Sequence, residues 1–169
     1  WEFRLNEGAY ARIDLPHDWA IDAPLNKDMA QGAAQGYLDR YGVGYYRKTF
    51  VLDSKGAQRR YMLDFGGIYE RSEVRLNGQH VGGWNYGYSS FRLDVTDAIR
   101  VGDNLLEIRV DNTLCPVDRW YSGCGIYRDV KLIETASEYI DERDVIVTTR
   151  ICGDAASVSV HTGICAQVV

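Results

Sequence analysis

Val74-Arg75-Leu76-Asn77-Gly78-Gln79-His80-Val81-Gly82-Gly83-Trp84 is the stretch from which the architecture is read. An Asn-Gly pair between two runs that alternate apolar and polar residues is the strongest short-range sign of a β-hairpin, because both residues tolerate φ > 0. Period two continues on either side. Residues 45–52 interleave apolar and polar side chains up to a turn at Asp53-Ser54-Lys55-Gly56, and residues 60–65 close on Gly66-Gly67. Phe91-Arg92-Leu93-Asp94-Val95 alternates cleanly, and Leu106, Ile108 and Val110 mark one face of a further strand. Thr96 to Arg100 has room for one helical turn, and a long loop from Asn112 to about Gly125 precedes an expected strand over residues 126–132. Short strands separated by turn signals roughly every 8–12 residues predict an all-β antiparallel sandwich or barrel.

The chain has 169 residues, enough for one domain or for one domain and part of another. A (β/α)₈ barrel needs about 250 residues and does not fit. With 19 Lys+Arg against 24 Asp+Glu the net charge is −5, which argues against a nucleic-acid partner. No run of 18 apolar residues is present, so no membrane-spanning helix is expected. No basic-then-apolar leader opens the sequence; the compartment stays open, the cytoplasm favoured over periplasm or secretion.

Four cysteines (Cys115, Cys124, Cys152, Cys165) contain no C-x-x-C pair, and with three His residues they predict no zinc site. Four reduced, mostly buried thiols are one reading and a Cys115–Cys124 bridge flanking one loop is the other. The 20 aromatic residues include 12 Tyr and 4 Trp, set among Gly and charged residues. Such rings serve loop packing, and they also offer flat faces to sugars.

The tail differs from the rest. Val145 to Thr149, a turn near Gly153-Asp154, and Ser157 to Val160 read as two strands. Two strands enclose no core, so residues 135–169 are expected to open a second β domain, with edges prone to fray or to stick.

Four collinear phrases carry a family resemblance. They are Leu15-Pro16-His17-Asp18-Trp19; Gly42-Val43-Gly44-Tyr45-Tyr46-Arg47-Lys48-Thr49-Phe50; Leu63-Asp64-Phe65-Gly66-Gly67 through Val74-Arg75-Leu76-Asn77-Gly78; and Trp120-Tyr121-Ser122-Gly123-Cys124-Gly125-Ile126-Tyr127-Arg128-Asp129-Val130. In this order they resemble the N-terminal sugar-binding domain of glycoside hydrolase family 2, the β-galactosidase and β-glucuronidase family. The resemblance covers residues 1–134 and implies a jelly-roll, galactose-binding-like β-sandwich, followed in residues 135–169 by the first strands of an immunoglobulin-like domain. It also implies that hydrolysis belongs to a TIM-barrel domain with two glutamates, not to this chain. No catalytic residue is therefore expected here, and Asp64, Glu70 and Glu73 read as solvated charges.

The resemblance further implies that two loops form a wall of the sugar pocket. One carries Asn85, whose amide can donate to one hydroxyl and accept from another; the competing reading is a turn cap beside Gly87. The other carries Asp118 and Trp120. Asp118 would accept from sugar hydroxyls beside a sodium ion; alternatively it pairs with Arg119 or Arg128, and Trp120 with Tyr121 packs under the loop. His17 is expected to fix the start of the sandwich by hydrogen bonds, and Arg128 to anchor the loop below the last strand. No cofactor is expected in this chain, with a monovalent or divalent cation allowed for in a full enzyme. The implied partners are a β-galactoside or related β-glycoside, the enzyme's own barrel and further copies in a homo-oligomer. An autonomous carbohydrate-binding module and a structural or oligomerisation domain are the alternative functions.

Overall fold

The computed structural model describes residues 1–29, 36–39, 41–114 and 122–165. Its strands are β1 (Glu2–Leu5), β2 (Ala11–Arg12), β3 (Val43–Leu52), β4 (Arg59–Phe65), β5 (Ser72–Leu76), β6 (Gln79–Trp84) and β7 (Phe91–Asp94). They continue with β8 (Gly102–Asp111), β9 (Val130–Ala136), β10 (Tyr139–Ile140), β11 (Ile146–Cys152), β12 (Ala155–His161) and β13 (Ile164–Cys165). Among the described residues there is no α-helix, only a 3₁₀ turn at Glu142–Asp144. Two compact units result: Trp1–Lys55 with Tyr61–Ile133, and Gly56–Arg60 with Glu134–Val169.

The first unit is the expected all-β sandwich. A six-stranded sheet runs in the order β2-β1-β3-β8-β5-β6, and a three-stranded sheet in the order β7-β4-β9. The alternation seen in the sequence is the alternation of burial. Ser72, Val74 and Leu76 of β5 are buried while Glu73 and Arg75 are exposed, and Asn104, Leu106, Ile108 and Val110 of β8 point the same way. Tyr46 from β3 and Tyr61, Leu63 and Phe65 from β4 complete one contiguous core with Ile99 and Ile126. Each such apolar side chain contributes about 1.5–3 kcal/mol on burial.

The hairpin at Asn77-Gly78 forms as read, with φ of 55° and 82° at the two residues, as a type I′ turn demands. The Asn77 side chain adds tertiary bonds. It donates to Ala98 O and Asn104 Oδ1, both at 2.9 Å, and accepts from Leu105 N–H at 3.0 Å. Thr96 to Ala98 makes the single turn foreseen, closed by Ile99 N–H to Val95 O at 2.9 Å.

Two features depart from the sequence reading. The strand expected over residues 126–132 starts only at β9, because residues 125–127 bond to loops instead. Gly125 exchanges both backbone hydrogen bonds with Tyr69, and Ile126 O accepts from His17 N–H. The short strands β1 and β2 were not singled out; Phe3 and Arg4 pair with Tyr46 and Tyr45 of β3.

In the second unit, β11 and β12 pair over seven residue pairs, from Ile146↔His161 to Cys152↔Ala155, and every residue of both strands is exposed. β10 pairs with β13. The thiols are not mostly buried: Cys124 is, but Cys152 is exposed and Cys165 half-buried. Cys124 accepts a hydrogen bond from Asn112 Nδ2 at 3.0 Å, and Cys115 lies outside the described residues.

Candidate functional site

The β6–β7 connection is built on aromatic rings. Phe65 stacks on Phe91 at 4.7 Å, and the Trp84 indole stacks on Phe91 at 6.0 Å. Trp84 Nε1–H donates to Ser89 Oγ at 2.8 Å, closing the loop on itself, and Ser72 Oγ bonds the Trp84 backbone at 3.1 and 3.2 Å. Tyr88 stands edge-on to Tyr69 at 5.3 Å and to Tyr86 at 5.8 Å. Its hydroxyl lies 2.9 Å from Ser122 Oγ, and Tyr127 O–H donates to Gly87 O at 2.6 Å. Partial removal from water raises the Tyr127 pKa, so the phenol stays protonated and remains a donor at neutral pH.

Glycine at position 87 follows from this crowding. A Cβ there would fall on the Tyr69 ring, and a Cβ on Gly67 would come 2.6 Å from the Tyr127 ring. Tyr69, Tyr88, Tyr127 and Ser122 are the framework that reading the sequence missed. The surplus of Tyr was visible, but nothing local says which rings face one loop.

Asn85 follows β6 directly and is exposed. With Gly83, Trp84 and Tyr86 it lines an open cleft of about 310 Å³. Its side-chain amide has no partner among the described residues, so the turn cap beside Gly87 is not formed. Asp118 and Trp120 lie outside the described residues. Their segment is bracketed by residues whose positions are fixed. Asn112 N–H donates to Gly42 O at 2.9 Å on one side, and buried Ser122 meets Tyr88 on the other. The Asn85 loop thus meets Ser122 through Tyr88.

The remaining charged and polar candidates serve the scaffold. Tyr46 O–H lies 2.8 Å from His17 Nδ1, and burial lowers the His17 pKa, partly opposed by Asp18 and Asp22. Burial drives the Tyr46 pKa strongly upward, although the Ile126 backbone bond opposes it. His17 therefore fixes the start of the sandwich, as its motif implied. Arg128 is exposed, its guanidinium 5.5 Å from the Tyr127 ring centre. Glu70 is less solvated than expected. Its side chain keeps 15% exposure, 3.8 Å from Arg71, whose Nη2 also meets Asp111 at 3.2 Å. Asp64 accepts from Arg92 Nε at 2.9 Å, and Glu73 sits exposed near Arg109. Among the described residues no group of three or more His, Cys, Asp or Glu lies close enough to hold a metal ion.

Comparison with known proteins adds an independent line. The model of the glycosyl hydrolase 2 galactose-binding domain-like family matches residues 33–121. The β-galactosidase BoGH2A of Bacteroides ovatus is 40% identical over 88% of this chain, and a putative β-glucuronidase of Formosa agariphila is 38% identical over 86%. The chain spans only 19% and 14% of those relatives' lengths. A β-glycosidase from Bacteroides vulgatus superposes on 99% of the chain with a TM-score of 0.87 at 28% identity, using 24% of its own length. A glycosyl hydrolase family 2 member from Bacteroides cellulosilyticus gives 0.84 at 32% identity over 96% of the chain and 24% of its own.

Proposed function

We propose that this chain, which belongs to the galactose-binding-like domains of glycosyl hydrolase family 2, works as the non-catalytic sugar-pocket wall of a larger retaining β-glycosidase. The observation that carries the reading is Asn85. It is exposed, its amide has no partner among the described residues, and it stands in a cleft with Trp84 and Tyr86 on a loop held by Tyr69, Tyr88, Tyr127 and Ser122. An amide presented this way can bridge two sugar hydroxyls at little entropic cost, because the loop beneath it is already ordered. Asp118 and Trp120 supply the second part of the wall. The bond-breaking carboxylates reside in a TIM-barrel domain elsewhere in the protein, and residues 135–169 begin an immunoglobulin-like domain. A β-galactoside or related β-glycoside as substrate is in keeping with the names of two relatives, a β-galactosidase and a putative β-glucuronidase.

The test compares the isolated chain with the full-length enzyme. The chain alone should not turn over aryl β-galactosides or β-glucuronides. In the whole enzyme, Asn85→Ala should lower kcat/KM about 10- to 100-fold while thermal unfolding stays unchanged. Wild-type KM and kcat in that variant would refute the pocket role and leave a structural or oligomerisation domain. The exposed rings of Trp84, Tyr86 and Tyr88 favour one second reading, an autonomous carbohydrate-binding module. Low-micromolar binding of a polysaccharide by the isolated chain, measured by calorimetry, would select it.

A further inference from the structure

A second groove lies on the face of the six-stranded sheet opposite the core. Cross-strand register sets two rows there: Arg4, Tyr45, Arg109 and Glu73 in one, and Glu2, Arg47, Glu107 and Arg75 in the other. Tyr10 stands over both rows, with the Arg47 guanidinium 3.9 Å and that of Arg4 5.4 Å from its ring centre. Arg4 also lies 4.4 Å from the centre of the Tyr45 ring. Between them is a groove of about 300 Å³ whose lining includes Arg4, Tyr10, Tyr45, Glu73, Glu107 and Arg109. It shares no lining residue with the Asn85 cleft.

One donor of this groove, Arg109, is held in place before anything binds, while the acceptor beside it stays open. Arg109 Nη2 donates to Asp111 at 2.9 Å. Glu73 Oε1 stays 3.8 Å from Arg109 Nη1, beyond hydrogen-bond distance, and its side chain is half exposed. The mixture of groups selects the ligand. An anion would meet the carboxylates of Glu73 and Glu107 as well as the guanidinium groups. An apolar peptide would strip water from five charges and return nothing. A pyranose satisfies both kinds of group, since each hydroxyl donates to a carboxylate and accepts from a guanidinium, while the ring's C–H face lies on tyrosine. The volume is at the small end for ligand sites, as one or two sugar rings require.

We propose that this sheet-face groove is a second carbohydrate site, taking a neutral saccharide of one or two pyranose units. It is tested on the 169-residue chain by following backbone amides in ¹⁵N-labelled protein during titration with methyl β-galactoside and with cellobiose. Saturable shifts at residues 44–47 and 106–109 are expected, with Kd on the order of 1 mM. Tyr10→Ala should weaken binding about tenfold, as should Arg4→Lys, which keeps the charge but loses the flat fork. Asn85→Ala should leave the sheet-face affinity unchanged, which separates this site from the loop site. Shifts confined to residues 84–90, or no saturable shift with either sugar, would overturn the proposal. So would open-chain mannitol binding equally well, or sodium glucuronate binding while neutral sugars do not.

Discussion

Two hairpins in this chain turn on two residues each: Asn77-Gly78 between β5 and β6, and Gly153-Asp154 between β11 and β12. Both turns obtain the backbone they need. Asn77 and Gly78 take positive φ together, whereas in the second turn only Gly153 does, at 61°, as in a type II′ turn. The strands then fare differently. β5 alternates buried and exposed residues, with Val74 and Leu76 fully buried, while Ile151, Val158 and Val160 of the second hairpin are 60–78% exposed. Local turn chemistry therefore fixes a hairpin but not its burial. Burial needs a second layer, which β4 and β7 supply in the sandwich.

The contrast breaks if truncating an apolar side chain costs the same in both hairpins. Leu76→Ala should destabilise the sandwich by about 2–5 kcal/mol, because it removes a buried side chain and leaves a cavity. Ile151→Ala should cost no more than about 0.5 kcal/mol, as for other exposed sites. Urea unfolding of the two variants, followed by tryptophan fluorescence for the first and by amide exchange for the second, measures the difference. Equal losses would mean that the second hairpin is covered in solution.

A smaller effect sharpens the comparison at the turns themselves. Asn77→Ala keeps a left-handed residue in place but deletes three tertiary hydrogen bonds, leaving Leu105 N–H and Asn104 Oδ1 each short of one partner. The cost should be about 1–3 kcal/mol. Gly153→Ala meets open space, so only backbone strain opposes it, at about 1 kcal/mol. Thermal unfolding should rank the first variant clearly below the second. The reverse order would show that Asn77 acts through its φ alone.

Which parts of the molecule were legible follows the same division. β3 to β8 could be read because apolar residues at every second position and the Asn-Gly turn act within a few residues. The stretch from Gly125 to Tyr127 looked like strand and is not, because its backbone bonds go to Tyr69 and His17, far away in sequence. The short β1 and β2 carry too few alternating positions to be distinguished from loop. At the candidate site, the motif resemblance pointed to Asn85, which is exposed and lines a cleft. The ring framework under it was hidden, since Tyr69, Tyr88 and Tyr127 come from three separate segments. Glu70 was misjudged for the same reason: its partial burial comes from the fold around it, not from its neighbours in the chain.

The smallest predicted effect concerns His17, one such long-range contact that its motif did announce. Burial keeps the Tyr46 phenol protonated, so its hydroxyl, 2.8 Å from His17 Nδ1, has a proton to give to that nitrogen. That bond requires neutral imidazole, in keeping with the downward shift that burial imposes. With the folded pKa below the unfolded value of 6.5, the unfolded chain binds the proton more readily. The His17 contribution is thus complete above that value and is lost as pH falls through it toward the folded pKa. His17→Gln keeps an acceptor for Tyr46 and cannot titrate in this range. The drop in melting temperature between about pH 7.5 and about pH 5 should therefore be smaller in the variant than in wild type. An equal drop would assign the acid sensitivity of the sandwich to its carboxylates, Asp111 and Glu2 first, whose pKa values are both held below normal and whose stabilisation is lost at lower pH.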